Sequence, residues 1–327
     1  MAAVLPETAD LSAPRAAGTP PLSNRAIAAE ARRLAELSPA RSLFEIGFTW
    51  LQLVAIIAVA LYVSSPWLTA LAIVLVGARQ YGLLILLHDA SHGLLHPKRR
   101  VNDALTLWLL AAPCGSSFWN SRKTHLMHHR FLGDDGKDPD YFLYCSEAPA
   151  PKSHPLAFAG HFAKLVLGGQ VIHTLFGKAA RPASPQPSAE LGPKIRALLP
   201  VAFVQLAILG AFAAAGHPLA YFYLWVLPLV TLAVLFNGVR VFCDHSVPPG
   251  SATNAEALIV TYLSNPVERF FLSPFNMNFH AEHHFFPYVP HYNLPKLRAL
   301  LRATPEYRER IEWRRSYLGY MRDYLFR

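Results

Sequence analysis

The chain has 327 residues, 53% hydrophobic and only 16% charged, with a net charge of +9 and 15 histidines; an ordinary soluble domain carries about 25% charged residues. So many aliphatic side chains exclude a disordered or fibrous chain, and three scattered cysteines (Cys114, Cys145, Cys243) with no CxxC pair exclude a disulfide scaffold or zinc ribbon. An apolar yet basic chain points to a membrane protein with one positively charged face.

In chain order, residues 1–42 are rich in Ala, Pro and Ser and hold no apolar run of signal-peptide type. They read as a cytosolic N-terminal tail, partly disordered, with an amphipathic stretch near 26–37. Four apolar stretches follow that are long enough to cross a bilayer, which takes about 20 residues per helix: 46–64, 66–87, 198–216 and 218–239. The joints Ser64-Ser65-Pro66 and Gly216-His217-Pro218 allow only tight turns, so the spans form two hairpins. Arg79 interrupts the second span and is expected to snorkel to the far interface. Residues 104–119 hold Pro113 and Gly115, are short for a span, and read as interfacial or re-entrant. Residues 155–176 carry His161, Lys164 and His173 and read as a surface helix, and 178–193 as a Pro/Ser linker.

The hairpin tips carry no Lys or Arg. The basic residues lie in the tail, in the middle section (Lys98, Arg99, Arg100, Arg122, Lys123, Arg130) and in the C-terminal section from Lys296 to Arg315. By the positive-inside rule these sections face the cytosol. No nucleic-acid motif accompanies the charge, and no nucleic-acid partner is expected.

The histidines carry the chemistry. His88 and His92 stand at i, i+4 in HDASH, one helical face. His125, His128 and His129 form HLMHH, and His280, His283 and His284 form HAEHH; in each the first histidine is expected to share a face with the last two. His245 in CDHS follows the fourth span. With an even number of spans between the groups, all nine fall on one side of the membrane. Imidazole is a common ligand for iron, copper and zinc. Nine are too many for one ion of about four to six ligands and enough for two. The HExxH of zinc proteases is absent.

HDASH, HLMHH and HAEHH resemble the three histidine boxes of the membrane fatty acid desaturase superfamily, of the bacterial acyl-lipid type. GARQYGLLILLHDASHG, NMNFHAEHHFFPYVPHYNLPKL and VRVFCDHS extend the resemblance over about residues 43–303. It implies an all-α integral membrane protein: four transmembrane helices as two hairpins, with a helical cytosolic cap holding a histidine-rich di-metal site within a domain spanning 43–327. It also implies a non-haem di-iron oxidoreductase using O2 and two electrons, with His88, His92, His125, His128, His129, His245, His280, His283 and His284 holding two iron ions. Asp89, Asp244 and Glu282 sit beside ligand histidines and are candidates to accept their second ring N–H; Asn237 is a further candidate nearby. Trp108, Phe118 and Trp119 are candidate lining for an apolar substrate tunnel. His291 in VPHYNLP is set aside as structural or as a headgroup contact.

The expected reaction is insertion of a double bond into a fatty acyl chain of a lipid or acyl thioester. The alternatives are hydroxylation or ketolation of a lipid or carotenoid, and, remotely, a metal-binding or transport role without catalysis; fold alone does not choose among them. The HPGG signature of a fused cytochrome b5 domain is absent from the sequence. The expected electron donor is therefore a separate ferredoxin or cytochrome b5 type protein docking on the basic face. The expected location is a bacterial inner membrane, with both termini and the boxes cytosolic.

Overall fold

The computed structural model describes residues 24–146, 150, 152–167, 191–246 and 259–326. The tail before residue 24, the expected linker over 178–190 and the end of the expected surface helix at 168–176 lie outside the described residues.

The amphipathic stretch forms α1 (Asn24–Leu34). Its apolar side, Ile27, Ala31 and Leu34, is buried. The first hairpin is α2 (Pro39–Val63) and α3 (Pro66–Ser91), each begun by a proline whose missing N–H costs nothing in a first turn. Ser64 closes α2 in the left-handed conformation (φ 50°) and donates its N–H to Ala60. Helix α2 thus starts ahead of residue 43, and α3 runs past the expected end of its span. The re-entrant stretch is α4 (Arg99–Leu105), wider turns over Thr106–Ala111, and a bend at 112–117. Then come α5 (Phe118–Phe131), α6 (Pro155–Val166), α7 (Leu191–Ala214) and α8 (Tyr221–His245). Four of these, α2, α3, α7 and α8, are long and apolar enough to cross a membrane. The chain has the composition of a membrane protein, and the large apolar side chains Phe44, Leu51, Trp67, Phe203 and Leu206 stand exposed, as lipid contact requires.

Helix α3 is the centre of the bundle: 67% of its apolar window is buried, against 6% for α7. Gly77 lets α8 cross it closely, since a Cβ there would lie 2.7 Å from Leu232 Cβ. The polar residues of the spans serve the backbone. Gln80 donates to Trp225 O (2.9 Å), and Gln205 donates to Ala112 O and Pro113 O (2.9 and 2.8 Å), holding the re-entrant bend. Trp50 ties α2 to the same segment through Leu109 O (3.0 Å).

The cap is built by β1 (Val260–Tyr262), α9 (Pro266–Phe271), α10 (His280–Phe285), α11 (Leu294–Arg302), α12 (Pro305–Arg310), β2 (Glu312–Arg314) and α13 (Tyr317–Phe326). The two strands pair in parallel, Val260 opposite Glu312 and Tyr262 opposite Arg314, a small sheet in an otherwise helical protein. One apolar cluster joins α1, α10 and α11 through Ile27, Leu34, Ala281, Leu297 and Leu301, and another joins α6, α8 and α13 through Phe158, Phe242 and Tyr324.

Three expectations are corrected. Arg79 does not snorkel: it is 7% exposed, donates to Phe270 O (2.9 Å) and lies over the Phe270 ring (3.9 Å), because α9 folds back against α3 and supplies a buried acceptor. Trp108 and Trp119 are 43% and 54% exposed, so they face outward and line no interior tunnel, whereas Phe118 is fully buried. Arg314 also leaves the basic face: it is buried and donates to Cys243 O and the Tyr262 hydroxyl.

Candidate metal centre

The nine histidines come from four places: the end of α3 (His88, with His92 just beyond), α5 (His125, His128, His129), the end of α8 (His245) and α10 (His280, His283, His284). Helices α3 and α8 deliver theirs at the end of the bundle opposite the hairpin turns. The structure brings all nine together as two groups. His88, His92, His125, His129 and His283 form one; His128, His245, His280 and His284 form the other. Within each group the ligand atoms lie within 4.8 Å of one another.

Helical periodicity explains the division. The i, i+4 pairs His88/His92, His125/His129 and His280/His284 each stay in one group, one above the other on a face. The i+3 members, His128 and His283, are turned to the opposite group. This corrects the expectation that each HxxHH presents one face: each box serves both groups.

Four Nε2···Nε2 approaches converge inside: His92 to His125 at 2.7 Å, His280 to His245 at 3.0 Å, His284 to His280 at 3.0 Å and His283 to His129 at 3.1 Å. The His88 Nε2 is buried and has no hydrogen-bond partner. Burial, reinforced by neighbouring imidazoles, holds His125, His280, His283 and His284 well below the usual imidazole range and His92 down to about 3. Neutral rings turned inward, with lone pairs and an orphaned nitrogen, fit metal cations and no other common ligand.

Residues 65–316 match the Fatty acid desaturase family. The chain belongs to that family. It is 27% identical to the dihydrorhizobitoxine desaturase of Bradyrhizobium elkanii, an alignment covering 74% of this chain and 70% of that protein. It is 30% identical to a sphingolipid delta(4)-desaturase/C4-monooxygenase of Bos taurus (80% and 73% covered), and 26% identical to a beta-carotene ketolase of Paracoccus sp. strain PC1 (72% and 81%). This desaturase-family protein is therefore an oxidoreductase, and its histidine cluster fits a metal site.

The acids beside the boxes have different partners. In this desaturase-family chain Asp89 Oδ1 stands 3.6 Å from His88 Nδ1, while its Oδ2 accepts from His291. Asp244 accepts from Arg240 (2.9 Å) and lies 4.0 Å from His280 Nε2. Glu282 accepts from the Thr261 hydroxyl, and burial raises its carboxyl to about 7. Asn237 is half-buried on α8, about two turns before His245.

The carboxylate that does meet a box histidine directly is Asp138, which the sequence reading missed. Its Oδ1 is 3.0 Å from His128 Nδ1, and its Oδ2 accepts from the Tyr144 hydroxyl and from Gly133 N–H (3.2 Å). Burial alone would raise the Asp138 carboxyl; the bonds from His128 and Tyr144 outweigh it and hold it low. Gly133 takes φ 82°, the glycine-favouring conformation that ends α5 and turns the acidic loop back on it. The signal available in the sequence is GDDGKDPD, an acid-rich turn within ten residues of His128.

Proposed function

We propose that this protein is an O2-dependent di-iron desaturase that introduces a double bond into a fatty acyl chain of a lipid or acyl thioester. The observation that carries the reading is the convergence of the eight box imidazoles and His245 into a group of five and a group of four at one end of an apolar bundle. Two iron ions held there would supply the oxidising power to break an unactivated C–H bond. The balanced reaction converts a –CH2–CH2– unit, O2, two electrons and two protons into –CH=CH– and two waters. The chain's own part is to hold the ions and set their charge. Neutral imidazoles add no negative charge, so the metal pair stays cationic toward O2. Asp138 keeps the His128 proton on Nδ1, which leaves Nε2 free to bind.

The two electrons come, in this reading, from a separate ferredoxin or cytochrome b5 type protein. Arg99, Arg100, Lys123 and Arg130 are exposed beside the α3–α5 end and supply a basic surface for an acidic donor. That surface also supports a cytosolic placement of the boxes and both termini, in a bacterial inner membrane. A second reading, hydroxylation or ketolation, is favoured by the relatives named as a C4-monooxygenase and a ketolase. Transport has less support, since Gln80 and Gln205 are spent on backbone carbonyls.

The test is expression with iron in a bacterial host, followed by mass spectrometry of total lipids. Loss of two hydrogens from acyl chains is the expected result; a gain of one oxygen transfers the protein to the second reading. His128→Ala and His283→Ala, one in each histidine group, should each abolish the product while the protein still fractionates with membranes.

A further inference from the structure

Behind the five-histidine group lies a buried chain of ionisable groups that the proposed reaction does not use. His291 sits in the turn between α10 and α11. Its Nδ1 is 2.7 Å from Asp89 Oδ2, and its own backbone N–H donates to the same oxygen at 3.0 Å. On the other side its Nε2 is 2.8 Å from Glu45 Oε2 on α2, whose second oxygen accepts from Arg41 Nε at 3.0 Å. His291 and Asp89 are 2% and 1% exposed. Removing a carboxylate and an imidazole from water is expensive and is seldom the cheapest way to hold a turn. The Phe275 ring at 5.4 Å and an Asn276 amide bond to His291 O already pack and anchor that turn.

What the clamp fixes is Asp89. Two bonds on Oδ2 set the carboxylate's orientation and leave Oδ1 standing 3.6 Å from His88 Nδ1. Both of these atoms are buried and neither has a hydrogen-bond partner, so the carboxylate acts on the ring through its charge at 3.6 Å. A negative charge beside that nitrogen favours the tautomer with hydrogen on Nδ1, and so turns the lone pair of Nε2 toward the other imidazoles. We propose that His291 is a positioning residue for metal binding at His88: clamped to Glu45, it fixes Asp89, and Asp89 sets the tautomer and orientation of the His88 ring. The inference rests on the two-metal reading of the histidine groups.

The experiment is a Co2+ titration of metal-stripped, full-length protein in detergent, followed by visible absorption and chelator competition. The two sites are assigned by the bands lost in His92→Ala and in His245→Ala. Wild type is expected to take up two Co2+. His291→Gln keeps the size and one donor but cannot reach both carboxylates. It should weaken the five-histidine site about 10- to 100-fold, the range for lost outer-shell partners, and leave the four-histidine site within twofold. Asp89→Asn should do the same, and the double variant should be no weaker than the stronger single one, since both break one connection. Unchanged Co2+ affinity in His291→Gln overturns the inference. So does an equal loss at both sites, which marks a general structural role, or penalties that multiply in the double variant. Fewer than two Co2+ in wild type would instead bring down the two-metal reading, and this inference with it.

Discussion

Asp138 gives the most direct hold on a single ligand. Its bond to His128 Nδ1 is buried, and Tyr144 and Gly133 brace its other oxygen. Asp138→Asn should weaken metal at the four-histidine group about 10- to 100-fold, read by Co2+ competition, with the five-histidine group spared. Asp134, four residues earlier, pairs with exposed Lys137. Asp134→Asn should change affinity little, because a solvent-screened surface pair of this kind contributes next to nothing. At this scale the sequence showed the ligand types and no more than half of their surroundings. Eight of the nine histidines are legible from their spacing in the three boxes, and His245 from its place after the fourth span. Asp138, ten residues from His128, is within reach of a local reading, but the partners in the clamp are not, because they cross the chain: Asp89 to His291 spans 202 residues and His291 to Glu45 spans 246. An acid next to a histidine in sequence, such as Glu282, has its hydrogen bond with Thr261 instead.

At the scale of elements, the spans were readable because lipid demands long apolar runs, and both hairpin turns fall where Ser64–Ser65 and Gly216 put them. The tilt and contact of the helices were not readable, since they depend on where small residues let backbones approach. Gly77 is such a place and Gly47 is not: a Cβ at Gly77 would press on Leu232 and Pro228, and one at Gly47 meets nothing within 4 Å. Gly77→Val should therefore destabilise the packing of α3 on α8 by about 1–3 kcal/mol, the usual cost of overfilling a packed site. Gly47→Val should be close to neutral. Thermal inactivation of the purified proteins in one detergent compares them. Arg79 makes the same point. Its acceptor, Phe270 O, arrives only because α9 folds back on α3, a tertiary contact with no local signal.

For the whole molecule, the Glu45–His291–Asp89 clamp joins α2, α3 and the cap, so its charge state bears on global stability. Burial opposes charge on His291, but Asp89 and Glu45 outweigh it and raise the imidazole to about 9, above its ordinary 6.5. A pKa raised by folding stabilises fully below the ordinary value and is lost as pH rises through the raised one. Wild type should therefore melt well above His291→Gln at pH 6.5, and the gap should narrow between pH 6.5 and 9.5. A gap that stays constant over that range would show that His291 is not charged in the folded protein. The domain boundary drawn at residue 43 also changes meaning at this scale. Helix α1 packs on α11, Ser38 donates to the Tyr292 hydroxyl, and Asn293 donates to Leu34 O, so the segment before the spans is part of the cap.

That closure between distant parts of the chain dictates an order of events during synthesis. All four spans have been synthesised by residue 245. The third box, at 280–284, and the turn that clamps Asp89, at 291, follow later. The spans are thus complete before either histidine group has all its members. Full metal loading belongs to the end of biogenesis, after the last fifth of the protein has folded back onto its beginning. A chain stopped after residue 270 keeps four of the five histidines of one group and two of the four of the other, and should still fractionate with membranes while binding metal more weakly than the full chain.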